Sequence, residues 1–209
     1  MLLTKTNVRS IILSMKKGED TKQTILECAL QLASQVGLES MTIGTLAAET
    51  GMSKSGLFAH FQSKEKLQIE IIEHAGHEFA SQVVVPALKM PAGIPRVSAL
   101  VENWIAWGAN IKGGCIFVSA STEFSDRPGR VREALLRQQE AWIDSLRRIA
   151  QSAIQVGHFR KDIDCDQFAF ELYSLLLGFH YYHKLLQDAE TKKRQEISLK
   201  QLLDKYRQQ

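Results

Sequence analysis

The chain has 209 residues, of which 44% are apolar and 23% charged, and a net charge of +3. These values exclude a disordered chain, leave room for one large domain or a small one joined to a larger, and are too near neutral to name a nucleic-acid partner without a local basic patch. Cys28, Cys115 and Cys165 are odd in number and lack CxxC spacing, which argues against a disulfide framework and for a reducing compartment, the cytoplasm.

Residues 1–18 include Lys5, Arg9, Lys16 and Lys17 among apolar residues but no compact apolar core before a cleavage site. They read as a mobile extension rather than a signal peptide, and Met15 heads a run that looks like a natural start. From Asp20, DTKQTILECALQLASQVG places Ile25, Leu26, Ala29, Leu30, Leu32, Ala33 and Val36 at helical spacing, with Asp20 or Thr21 as N-cap and Gly37 as stop. Thr42 is the expected cap of a second, short helix, IGTLAAET, ended by Gly51. Ser53 caps a third, KSGLFAHF, and Ser63 a fourth that runs to Pro86. Two short helices around a glycine turn, braced on both sides by longer ones, are the outline of a helix-turn-helix module.

That outline gives the third helix a task. Small or polar Ser53, Lys54, Ser55 and Gly56 suit a leading face that approaches base edges, while Leu57 and Phe61 anchor the rear. Helix N-termini at Thr42 and Ser63, with Lys64 beside the latter, suit phosphate.

The run TILECALQLASQVGLESMTIGTLAAETGMSKSGLFAHFQSKEKL, from Thr24 on to about Ile71, resembles the DNA-binding domain of the TetR/AcrR family of bacterial repressors. The resemblance implies an all-α homodimer that binds a double-stranded operator and releases it when its C-terminal domain takes an inducer, without cofactor or catalysis. Carried over residue by residue, it implies DNA contacts from Thr42, Lys54, Ser55, Gly56, Phe58, His60 and Lys64. The chain departs from the family in having Phe58 where tyrosine is usual, which removes a hydroxyl that would reach phosphate, and Gly44 where a longer polar residue is common. Downstream, KGGCIFVSASTEFSDRPGRVREAL resembles a C-terminal domain type found in part of that family.

Three of the four prolines fall between Pro86 and Pro95 and read as a break. Beyond it come helices over RVSALVENWIAWGANIK, CIFVSASTEF, the long GRVREALLRQQEAWIDSLRRIAQSAIQVG, and two terminal segments. The expected division is therefore an extension over 1–18, a helix-turn-helix domain over 19–65 with its fourth helix continuing to about 85, and a regulatory and dimerisation domain over 86–209. Glu171, His180, His183 and Lys184 interrupt the most apolar stretch, so no membrane partner is expected.

Trp104, Trp107, Phe117, Trp142 and Tyr173 are candidates to line an effector pocket, with Asn103, Ser119, Glu123 and His180 as polar orienting groups. Phe168, Leu172, Leu175, Leu176, Phe179, Leu199 and Leu202 recur at three- and four-residue spacing and are candidates for the dimer interface, where Gly178 would permit close approach. The alternative is a helical ligand-binding or metal-dependent enzyme with a degenerate module. His74 with His77, and His180 with His183, are spaced to share a helix face, but neither pair carries the carboxylate of an HExxH motif. Cys115, after Gly113 and Gly114, reads as a packing residue rather than a reactive thiol.

Overall fold

The computed structural model describes residues 19–208. The expected N-terminal extension lies outside them. In chain order the helices are α1 Glu19–Val36, α2 Ile43–Thr50, α3 Lys54–Phe61, α4 Lys64–Phe79, α5 Val85–Leu88, α6 Ile94–Asn110, α7 Ile116–Phe124, α8 Arg130–Gln155, α9 Cys165–Lys184 and α10 Thr191–Tyr206. A π-helical turn, Ala80–Val84, links α4 to α5. The fold is all-α: among the described residues the extended pairing is one isolated bridge, Phe159 with Arg207.

The chain forms two compact units. Among the described residues, the first holds those up to His77 together with Ile111–Gln138; the second holds Glu78–Asn110 and those from Gln139 on. Thus α7 and the opening of α8 belong with the helix-turn-helix module.

In the first unit, Ile25, Ala29 and Ala33 of α1, Leu46 of α2, Leu57 and Phe61 of α3 and Leu67 and Ile71 of α4 are all fully buried. One detail of α1 corrects the sequence reading. The helix already includes Asp20 and Thr21, so neither is its N-cap. Val36 is 47% exposed because it closes the last turn, just before Gly37 turns the chain away at φ +88°. The loop after α6 lies directly on α1: the Gly113 N–H donates to Ser34 Oγ at 3.2 Å, and a Cβ on Gly113 would stand 1.7 Å from the Ser34 carbonyl oxygen. Only glycine allows that approach.

In the second unit, α9 and α10 pack around Phe159, Phe168 and Tyr206, whose ring centroids lie 5.1–6.1 Å apart. Pro86 does not end the fourth helix as expected. An α-helical register would drive its ring against the carbonyl four residues back. The backbone instead widens into the π turn, in which Val85 N–H bonds to Ala80 O, and resumes as α5 with Pro86 in its first turn. The segment CIFVSASTEF is helical as read, with Cys115 buried at its N-cap position.

Candidate nucleic-acid interface

The module is held by caps that the sequence announces. Thr42 Oγ1 accepts from the Thr45 N–H at 3.0 Å, and Thr45 Oγ1 accepts in return from the Thr42 N–H at 2.8 Å, a reciprocal box at the start of α2. Gly51 ends α2 at φ +69°, a left-handed conformation that glycine takes without strain. Ser53 Oγ accepts from the Gly56 N–H at 3.1 Å at the start of α3, and Ser63 Oγ from the Lys66 N–H at 3.1 Å at the start of α4. Each such cap contributes about 0.5–2 kcal/mol.

On α3, the buried Leu57 and Phe61 fix the helix by its rear, which leaves Lys54, Ser55 and Phe58 exposed and Gly56 and His60 partly so. Phe58 is 55% exposed. An aromatic ring on open water beside a lysine and a serine is not core packing. At Gly44 of α2 a Cβ would meet Thr42 Oγ1 at 3.5 Å and Lys54 Cε at 3.8 Å, ordinary van der Waals contacts, so packing within the chain does not demand glycine there. His60 packs tilted on Phe61, ring centroids 6.1 Å apart, which divides it between core and surface.

Lys64, expected at phosphate, also has partners within the chain. Its Nζ donates to Glu39 Oε1 at 3.0 Å, and Arg127 pairs with the other oxygen of the same carboxylate at 3.3 Å. The hydrogen bond from Lys64 holds the Glu39 carboxyl below the usual carboxylate range; the charges of Lys64 and Arg127 add to this. Glu123 of α7 braces the same loop, its carboxylate accepting from the Leu38 N–H at 3.2 Å and the Glu39 N–H at 2.6 Å. Glu123 therefore serves the helix-turn-helix loop rather than orienting an effector. Glu39 and Arg127 escaped the sequence reading because Lys64 and Arg127 lie 25 and 88 positions from Glu39 along the chain, with no periodicity to join them.

The effector candidates divide between the units. Trp104, Trp107, Trp142 and Tyr173 belong to the second, whereas Phe117 is buried in the first on α7. Phe79, which the sequence reading passed over, joins them: its ring meets Trp107 edge-on at 5.8 Å and Trp142 at 5.0 Å, and Trp142 meets Tyr173 at 6.2 Å. Asn103 Nδ2 donates to the Val83 carbonyl in the π turn at 3.1 Å, and Ser119 Oγ donates to the Ile116 carbonyl on its own helix. His180 lies 6.4 Å from Trp104, and burial pushes its imidazole below its ordinary value, with Lys184 and His183 adding to the shift.

The dimer candidates need correction. Phe168, Leu172 and Leu176 are fully buried within the chain and Leu202 nearly so, which makes them core. Leu175, Phe179 and Leu199 are half-buried. The open apolar stripe runs instead through Phe170, Leu177 and Tyr181 of α9 and on to Leu185 at its C-cap, with Ile197 exposed on α10. Gly178 is exposed as well, and among the described residues a Cβ there would meet nothing within 4 Å. Of the histidine pairs, His74 Nδ1 is 3.2 Å from Gln23 Nε2 and His183 stacks on Phe179 at 5.3 Å. Among the described residues no three His, Cys, Asp or Glu side chains gather as metal ligands, and no helix is long and apolar enough to cross a membrane.

With this geometry, two family models match the chain: one described as bacterial regulatory proteins, tetR family, over residues 25–71, and one described as tetracyclin repressor-like, C-terminal domain, over residues 93–197. The HTH-type transcriptional repressor DhaR of Mycobacterium sp. (strain GP1) is 25% identical over 151 residues, covering 71% of this chain and 74% of that protein. A TetR transcriptional regulator from Chloroflexus aurantiacus J-10-FL superposes with a TM-score of 0.79 at 22% identity, over 91% of this chain and 96% of its own. The structure of AibR in complex with isovaleryl coenzyme A and operator DNA gives 0.66 at 21% identity, over 86% and 95%. At these identities the structural likenesses show a shared fold.

Proposed function

The chain belongs to the tetR family of bacterial regulatory proteins, and from that premise we propose that it is a cytoplasmic, ligand-responsive transcriptional repressor that binds a palindromic operator as a homodimer. The observation that carries the DNA reading is the capped α3, which turns Lys54, Ser55 and Phe58 to solvent while Leu57 and Phe61 are sealed beneath it. Lys54 and Ser55 read base edges in the major groove, Gly56 lets the backbone approach, and Phe58 and His60 contact the sugar-phosphate rail or the thymine methyl. Thr42 and Lys64 hold phosphates through a helix N-terminus and an ammonium group.

A palindromic site needs two such helices about one DNA turn apart, and the open stripe of Phe170, Leu177, Tyr181 and Leu185 is the surface on which a second copy docks. AibR, of the same fold, was captured with both an acyl coenzyme A and operator DNA, which supports a small-molecule effector here. The chain acts by binding, with no catalytic step.

Selection of bound fragments from a random DNA library tests the reading. The expected product is a palindrome whose affinity falls steeply with salt as counterions are released. Recovery of no sequence preference, or binding indifferent to salt, would refute it.

A further inference from the structure

The aromatic cluster of the second unit is short of hydrogen-bond acceptors. Trp107 and Trp142 are 3% and 6% exposed, and the indole Nε1 of each is fully buried without a partner among the described residues. An indole nitrogen can only donate. Buried donors are nearly always satisfied, so two orphans in one cluster call for an explanation. Both indoles flank the same ring, Phe79, at interplanar angles of 89°. The backbone directly after Phe79 is the π turn, a distortion that recurs at functional sites. Asn103 ties down the Val83 carbonyl in that turn, and Tyr173 Oη donates to Gln139 Oε1 at 2.7 Å, so the surrounding polar side chains are already engaged with protein.

We propose that the effector is a flat, apolar compound carrying acceptor oxygens, a carbonyl or carboxylate, which receive the N–H groups of Trp107 and Trp142 while its body packs against Phe79. The inference rests on the reading of the chain as a ligand-responsive regulator and names what that ligand must offer. An aromatic cluster could also attract a cation over its ring faces. A cation brings no acceptor and would leave both indole donors orphaned. Both a carbonyl and a carboxylate offer the acceptor oxygen; burial lowers the pKa of His180 and so disfavours its charged form, and a carboxylate without a cationic partner costs more to bury than a neutral carbonyl.

The chain has three tryptophans, all in this unit, so protein labelled with 15N at the indoles reports on the cluster through three resonances. Four probes of one ring size separate the possibilities: acetophenone, benzoate, ethylbenzene and phenyltrimethylammonium. Acetophenone or benzoate should move the Trp107 and Trp142 indole protons downfield and bind about tenfold more tightly than ethylbenzene. Trp107→Phe and Trp142→Phe should each remove about tenfold of that affinity and leave ethylbenzene binding within about twofold. Ethylbenzene or the ammonium probe binding as well as the oxygen-bearing pair, or indole protons of the unaltered chain that no probe moves, would overturn the proposal. The indole shifts of the unaltered chain decide the matter even where a variant fails to fold. The same samples are titrated with the selected operator fragment: DNA binding with unmoved indoles sinks the effector inference alone, and shifted indoles without DNA binding sink the regulator reading alone.

Discussion

Glu39→Gln should tighten operator binding. Lys64 Nζ lies 3.0 Å from the Glu39 carboxylate, and a phosphate oxygen accepting from its far side would lie about 2.8 Å away, which sets carboxylate and phosphate roughly 6 Å apart. In water two such charges repel by about 0.7 kcal/mol, and screening at physiological salt leaves roughly 0.3. Two protomers double this, so removing the carboxylate charge should raise affinity about threefold. The cost to the fold is small: side-chain exposures of 41% and 42% place the Lys64 to Glu39 pair among surface ion pairs, worth at most about 1 kcal/mol. Fluorescence anisotropy of an operator fragment, titrated at several salt concentrations, reads both affinity and slope. Glu39→Gln should shift the line with its slope unchanged, whereas Lys64→Ala should weaken every sequence alike and lower the slope by about 1. The gain should persist in an Arg127→Gln background, which removes the other partner of the carboxylate. A folded Glu39→Gln protein that binds DNA no better than the parent would refute the placement of Lys64 at phosphate.

Lys54→Ala should relax sequence preference in the library selection, in contrast to the uniform loss expected from Lys64→Ala; equal, sequence-independent losses would remove Lys54 from base readout. Gly113→Ala should destabilise the first unit by more than about 3 kcal/mol, because its methyl has nowhere to go against the Ser34 carbonyl; Gly108→Ala, with nothing within 4 Å, is the control, and thermal unfolding compares them. Leu185→Glu should yield a helical monomer in sedimentation experiments with operator affinity greatly reduced, since Leu185 is 64% exposed and contributes little to the fold of one chain. The Glu39 carboxyl is held below its ordinary value by Lys64, so its stabilisation is complete above the ordinary carboxylate range and is lost as pH falls through the lowered value. The difference in unfolding midpoint between the parent and Glu39→Gln should accordingly be constant above the ordinary carboxylate range and shrink as pH falls below it.

The sequence by itself determined what is local. Thr42, Gly51, Ser53 and Ser63 act within three or four residues of themselves, so the boundaries of the helix-turn-helix module and the exposed face of α3 follow from caps and spacing. Tertiary structure alone decided which of two apolar faces turns inward. Along α9 and its C-cap both Phe168, Leu172 and Leu176 and Phe170, Leu177, Tyr181 and Leu185 lie at helical spacing; periodicity finds the faces, but only tertiary packing, with Phe168 against Phe159 and Tyr206, buries the first set and leaves the second open. The same holds for charge and for rings. Lys64 reads as a free cation until the fold brings Glu39 beside it across 25 positions. Phe117 reads as one more pocket aromatic until the fold assigns it to the first unit, while Phe79 joins the tryptophans from the end of a helix that belongs at its start to the DNA-binding module. Caps and periods are short-range and therefore written in neighbouring residues; the partners of a buried face or a surface charge are chosen by contacts between distant segments, which no local pattern encodes.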